Sequence, residues 1–470
     1  MAQAPVILWL RRDFRFHDHR AMMAAHETGA PVIALFICDA QIEGLGAAPK
    51  WRLGLAIEAF AKALSERGGR LILRRGNALR VLQEMISVTG AVAVHWSRAY
   101  DEEAIARDTE VKSALKAQGI EAVSHAGHLL FEPWSVATQK GEAYKVYTPY
   151  WRAVKDRGVN APVRVVEKWS APADWPESDA LRDWGLGDGM QRGAQVVAGH
   201  VQVGEAAALD RLRRFTEEKI DSYKANRDIP SHHATSGLSE NLTYGEISPR
   251  VIWHAGWRRM EEGASGAEHF LKELVWREFA WHLMYHFPQL PDQTWRKEWR
   301  DFVWHDDNDD AELWRRGMTG EPFVDAAMRE MYVTGTMHNR ARMIVASYLT
   351  KHLRVDWRVG RRWFEECLID WDPASNAMGW QWVAGCGPDA SPYFRVFNPA
   401  TQAEKFDGDQ TYRRAFIAEG QDPPAETAQA FFKAVPKSWG LDASQRYPKP
   451  IVDLKAGREA ALEAYQDFKS

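Results

Sequence analysis

Five short stretches of this chain carry residues whose types and spacing suit chemistry. Tyr223 and the run Thr235-Ser236-Gly237-Leu238-Ser239 bring hydroxyls and backbone N–H groups together. Such a nest suits phosphate oxygens, and its plainer reading is a helix N-cap. Glu273, Trp276 and Arg277 fall within one helical period. Glu273 and Trp276, three apart, share a face, so a carboxylate beside an indole can hold a planar, carbonyl-bearing ligand. Glu273 and Arg277, four apart, can instead form a surface ion pair. Asn339, Arg342 and Met343 lie on one side of another helical stretch. Asp370, Asp372 and Asn376 follow, and a buried Arg342 needs an acid that Asp370 or Asp372 can supply. In Gly379-Trp380-Gln381-Trp382 the two indoles point about 200° apart on a helix, so one can face a ligand cavity while the other packs.

Other chemistries lack their residues. There is no G-x-S-x-G or H-E-x-x-H, no G-x-G-x-x-G after the first strand, and no G-x-x-x-x-G-K-[ST]. His282 and His286 are four apart without a third ligand and read as a helical surface pair, so no metal is expected. Cys38, Cys367 and Cys386 are too few for a disulfide framework or a four-thiolate cluster, which suits a reducing cytosol. A net charge of −4 excludes a uniformly basic nucleic-acid coat but leaves room for one basic face. No stretch approaches the ~20 apolar residues of a membrane span. The outlier is tryptophan: 22 in 470 residues. Packing alone seldom needs so many indoles, because each has an N–H to place.

The elements that must position these groups fall into two kinds. Short apolar runs at 6–10, 31–37, 70–74, 92–96 and 121–124 alternate with helical patterns at 53–64, 78–86 and 103–118. That alternation predicts an α/β domain with a parallel, doubly wound sheet over residues 1–130. Residues 131–204, Pro- and Gly-rich after 161, read as a long interdomain linker. From 205 to 470 the periodicity is helical almost throughout, with helices expected over 266–287, 322–334, 338–352 and 359–367, and a last one between 450 and 465.

Taken together and in order, Trp9-Leu-Arg-Arg-Asp-Phe-Arg15, Thr235–Ser239, Trp276-Arg-Glu-Phe279, Met337-His-Asn-Arg340, Gly379–Trp382 and Tyr393-Phe-Arg-Val-Phe-Asn-Pro399 resemble the photolyase/cryptochrome family over nearly the whole chain. The resemblance implies an α/β domain joined by a long loop to an all-α domain that holds a U-shaped FAD. Tyr223, Thr235, Ser236, Gly237, Leu238 and Ser239 would hold its phosphates and nearby groups. Arg277, Arg342, Asp370, Asp372 and Asn376 would surround the ring system, with Arg342 paired to Asp370 and Asn376 facing N5.

The implied activity is light-driven repair of cyclobutane pyrimidine dimers in UV-damaged DNA, single- or double-stranded, by a monomeric cytoplasmic lyase. Trp276 and Trp382 would flank the flipped dimer, Glu273 would hydrogen-bond it from a desolvated cleft, and Asn339 and Met343 would line the floor. Enzymes that act on a base inside a duplex must first extrude it, photolyases among them. Arg227, Arg340, Arg395 and Gln402 match DNA-contacting positions, and Trp380, Trp357 and Trp304 match an electron relay. Relatives that repair the (6-4) photoproduct carry histidines where this chain has Asn339 and Met343, and a cryptochrome photoreceptor tends to lose the substrate set. Both are the alternatives to dimer repair. Thr336 stands where many relatives have Trp. A second antenna chromophore, of folate or deazaflavin type, is implied without its identity: Glu103-Ala104 departs from the folate pair, and Asp39 and Asp101 lie near acidic positions of deazaflavin binders.

Overall fold

The computed structural model describes residues 3–470. Strands β1 (Val6–Leu10), β2 (Val32–Cys38), β3 (Leu71–Arg75), β4 (Ala93–Ser97) and β5 (Glu121–His125) form one parallel sheet in the order β3-β2-β1-β4-β5. All residues of β1 and β2 are buried, so these strands read as unbroken apolar runs rather than alternating ones. Four main helices pack around the sheet: α1 (Arg20–Glu27), α2 (Ala47–Ser65), α3 (Ala78–Thr89) and α4 (Glu102–Ala117). Asn77 and Asp101 cap α3 and α4 with their side chains. Two deviations from the expected elements have local causes. The helix α2 starts six residues earlier than its pattern suggests, because Gly46 precedes it without a side-chain cap. The eight-residue α1 is too short to show a period and begins at an unusual cap, His19, which accepts the Met22 N–H.

The remainder is helical. Within 131–204, α5 (Tyr147–Val154) sends Tyr147, Tyr150, Trp151 and Val154 into a core shared with α6 (Pro249–Glu261) and α7 (Ala267–His286). There follow α8 (Pro322–Thr334), α9 (Asn339–Ser347), α10 (Trp357–Cys367), α11 (Pro373–Ala384) and α12 (Leu454–Lys469). A π-helical turn, Tyr348–His352, continues α9. The expected His282–His286 surface pair is a correction. His282 is buried, accepts the Tyr144 N–H at 3.0 Å, and is pushed by burial down to about 4. Its place is in the core because α5 and the chain before it cover that face of α7. Among the described residues no group of three or more metal-type ligands converges, and no helix is long and apolar enough to cross a membrane.

The sheet domain and the helical domain meet through buried charge. The Arg52 guanidinium, on α2, is fully buried and forks onto Glu246 at 3.0 and 2.6 Å, with Glu240 at 3.4 Å. Its plane lies 4.9 Å over Tyr244, whose hydroxyl donates to Pro49 O and Ile369 O. Burial acts to lower the pKa of Arg52, but Glu246 and Glu240 together with Tyr244 turn the net shift upward; burial pushes Glu240 up. Breaking such a buried set by deleting one charge typically costs about 3–5 kcal/mol. Arg52→Ala is therefore expected to destabilise the protein by that amount in urea unfolding followed by tryptophan fluorescence. A loss below about 1 kcal/mol would place the domain junction elsewhere.

Candidate functional site

A cavity of about 350 Å³ in the helical domain is walled by segments far apart in sequence. Its lining brings together Tyr223, Ser236, Leu238 and Ser239 with Glu273, Arg277, Asn339, Arg342 and Met343 and with Asp370, Asp372 and Asn376. The third and fourth stretches thus line it completely, the second does so without Trp276, and the fifth contributes Gly379 and Trp380. Thr235 and Gly237 lie just outside the lining. Gly237 has φ +64°, and its carbonyl accepts from Arg211 at 2.6 Å. Arg211 also reaches Glu240 at 2.5 Å, so the hydroxyl nest stands on the same charge network that joins the domains.

Arg342 chooses Asp370. One terminal nitrogen bonds both carboxylate oxygens, at 2.9 and 2.8 Å, while Nε donates to Met337 O. Asp372 has different work: Oδ1 accepts the Ser375 N–H as the cap of α11, and Oδ2 accepts the Trp281 indole N–H at 3.0 Å. The Asn376 amide nitrogen donates to Arg361 O at 3.0 Å, which leaves its carbonyl oxygen as the free end. Arg277 is held by the His128 carbonyl at 3.0 Å and by the His128 ring. Burial and then the charge of Arg277 push that imidazole well below its ordinary range, so it stays neutral.

Two expectations about Glu273 are corrected. Its side chain is 31% exposed rather than desolvated, and its partner is Arg227, not Arg277. Arg277 is turned away toward His128, and the segment before α6 brings Arg227 to Glu273. Arg227 is in consequence only 12% exposed, not a free DNA contact. Arg340 is likewise engaged, with Asp228 at 2.7 Å and over Phe406 at 4.5 Å. Arg395 is exposed and Gln402 half-buried.

The indoles divide as their spacing suggests. Trp380 is buried and borders the cavity; Trp382 is half-buried and does not. Gly360 makes room for Trp380, since a Cβ there would lie 2.0 Å from the indole ring. Phe364 and Trp314 flank the ring at centroid distances of 5.0 and 6.1 Å. Trp276 is stacked on Tyr147 at 3.6 Å and 6°, leaving its other face half-open. Trp357 is fully buried, and Trp304 is half-buried against Phe302 and Tyr393. Thr336 is half-buried and engaged with Thr334. The sequence reading missed Phe364, Leu368, Trp371 and Ser375, which also line the cavity. Trp371 and Ser375 directly flank named residues, but nothing in their types marks them.

The donor set fits a flavin dinucleotide. The cavity offers the hydroxyls of Ser236 and Ser239, the Arg342–Asp370 pair, the free amide oxygen of Asn376 and apolar wall from Leu238, Leu274 and Val383. The buried indole N–H groups of Trp371 and Trp380 have no partner within the protein.

The comparisons agree with this geometry. Residues 6–168 match the family model described as DNA photolyase, and residues 270–467 match the FAD binding domain of DNA photolyase. A deoxyribodipyrimidine photo-lyase of Agrobacterium fabrum is 44% identical, covering 99% of this chain and 98% of its own. Cryptochrome-2 of Arabidopsis thaliana is 32% identical, covering 97% of this chain and 78% of its own. The crystal structure of a bacterial class III photolyase from Agrobacterium tumefaciens superposes with a TM-score of 0.92 at 43% identity, covering 100% of this chain and 98% of that one. A parallel-sheet domain followed by a helical FAD-binding domain, matched end to end by these relatives, makes this chain a member of the DNA photolyase family.

Proposed function

We propose that the protein is a deoxyribodipyrimidine photo-lyase that splits cyclobutane pyrimidine dimers in UV-damaged DNA. When bound and reduced, FAD supplies on illumination the electron that opens the cyclobutane ring and takes it back afterwards. The observation that carries the reading is convergence. Glu273, Asn339 and Met343, three of the five substrate-side residues, wall the same cavity as Asp370, Asp372 and Asn376 of the cofactor-side set, while Trp276 and Trp382 lie outside the lining.

The chain's own residues then have distinct tasks. Ser236 and Ser239 hold phosphate oxygens with hydroxyls and N–H groups. The Arg342–Asp370 pair fixes a charge on the cavity wall and stays local, because each oxygen of Asp370 is already engaged. Asn376 presents an acceptor oxygen, suited to an N–H of a reduced ring, and as a neutral amide it does not repel added negative charge. The free face of Trp276 offers a stacking platform for an extruded base, and base–aromatic stacking is worth about 1–3 kcal/mol. Glu273, held by Arg227, accepts from a pyrimidine imide N–H. Arg395 and Gln402 are the accessible groups for backbone phosphates, a sequence-independent contact.

The test is blue-light illumination of dimer-containing oligonucleotide with the reduced holoenzyme, scored by restoration of the intact strand. No strand restored by flavin-loaded, reduced protein would overturn the reading. Glu273→Ala is expected to weaken dimer binding in the dark about tenfold while flavin content holds, with Glu273→Gln falling between. Unchanged dimer affinity in Glu273→Ala would remove Glu273 from the substrate site.

Trp380, Trp357 and Trp304 form the proposed relay from the cavity outward. Trp380→Phe and Trp357→Phe are expected to abolish light-driven reduction of the oxidised protein by external thiols while chemically reduced enzyme still repairs. Phe keeps most of the volume, so stability changes little. Full photoreduction in both variants would leave the three indoles a packing role only.

A further inference from the structure

A second cavity, about 180 Å³, lies where three parts of the molecule meet: α1, the segment 126–160 and α6. Three guanidiniums border it, those of Arg20, Arg157 and Arg250. Arg250 is 3% exposed, and one of its terminal nitrogens is buried with no partner. The Nε of Arg20 is also buried and unpartnered. Arg157 is exposed and packs over Phe131.

The carboxylates nearby are already spent. Asp18 accepts from Arg250 Nε at 2.7 Å, from the Ser248 hydroxyl and from the Val163 N–H at 3.1 Å. Glu132 accepts from the Tyr100 hydroxyl at 3.0 Å and from Arg98 at 3.2 Å. Three acids, Asp18, Glu132 and the buried Glu278, which accepts the Leu130 N–H at 2.8 Å, thus stand against five guanidiniums, those of Arg15, Arg20, Arg98, Arg250 and, at the cavity wall, Arg157. Burial, and then repulsion from Arg250, lower the pKa of Arg20. Buried cations packed together without matching anions are costly unless a further anion joins them. Planar guanidiniums present forked donors that match an oxyanion. The cavity is smaller than the roughly 300–1,000 Å³ that encloses a drug-sized ligand, so it takes a headgroup and not a chromophore.

We propose that this cavity binds a phosphate group, bridging the sheet domain, the segment 126–160 and the helical domain. The phosphate is either the free ion or one carried on a larger molecule whose remainder lies outside.

The test uses the FAD-bound protein, so that the hydroxyl nest is filled, and calorimetric titration with inorganic phosphate at constant ionic strength. One saturable site is expected. Arg20→Ala should raise its Kd about tenfold or more, and Arg157→Ala should raise it less, with flavin content unchanged in both. These two positions are chosen because Arg250 also pairs with Asp18 and its loss could unfold the protein. Glycerol phosphate in parallel separates the sources: binding tighter than the inorganic ion marks a phosphate carried on a larger molecule, and equal or weaker binding marks the free ion. Absence of saturable phosphate binding, or an affinity unchanged in both variants, would overturn the proposal.

Discussion

One buried guanidinium holds the molecule's two halves in register. Arg52 leaves the sheet domain and ends between Glu246 and Glu240 of the helical domain, with no solvent to screen it. A charge so placed is tolerable only while both acids stay put. The acids in turn fix what is built on them. Glu240 meets Arg211, Arg211 meets the Gly237 carbonyl, and the Asn241 side chain donates to Glu246 at 2.6 Å. The hydroxyl nest therefore rests on a lattice of ions rooted in the other domain. Truncating the helical half at its apparent boundary would remove the guanidinium on which its cofactor loop rests.

The cavity illustrates a second constraint, that polar groups at its wall are mostly occupied on their far sides. Asp372 caps a helix and receives an indole N–H, Asn376 has its amide nitrogen tied to a carbonyl, and Arg277 is braced by His128. Each therefore offers a ligand one defined edge instead of a rotating set. Such bracing gives preorganisation in the sense used for designed sites, where supporting contacts decide precision.

Much of this was legible before any coordinates. The sheet could be read because parallel strands are buried on both faces and so appear as unbroken apolar runs, as Val6–Leu10 does. A pairing of Arg342 with one of the following acids could be anticipated because an unpaired buried arginine is untenable, whereas the place of Asn376 followed only from the family resemblance. Spacing alone left Asp370 and Asp372 equivalent, and only the family resemblance named Asp370, the acid that Arg342 meets. Helical spacing failed at Glu273 and Arg277. The four-residue rule describes isolated helix surfaces, whereas here Arg227 and His128 arrive from other segments and take one partner each. His282 departs from its expected surface place for the same reason: its covering residues, Tyr144 and Tyr150, belong to α5 and the chain before it, more than a hundred positions earlier.

At several junctions a side chain would simply not fit. A Cβ on Gly245 would fall 2.0 Å from the carbonyl oxygen of Arg12, and one on Gly46 would fall 2.2 Å from that of Glu365. In each case the glycine abuts main chain, not a side chain. The resulting tolerance to sequence drift is one-sided. Arg12 and Glu365 can change identity as long as the backbone keeps its course, while Gly245 and Gly46 cannot change at all. Homologous exchange of whole domains between distant relatives would then preserve this part of the seam, because what is recognised across it is the path of the chain and not the letters written along it.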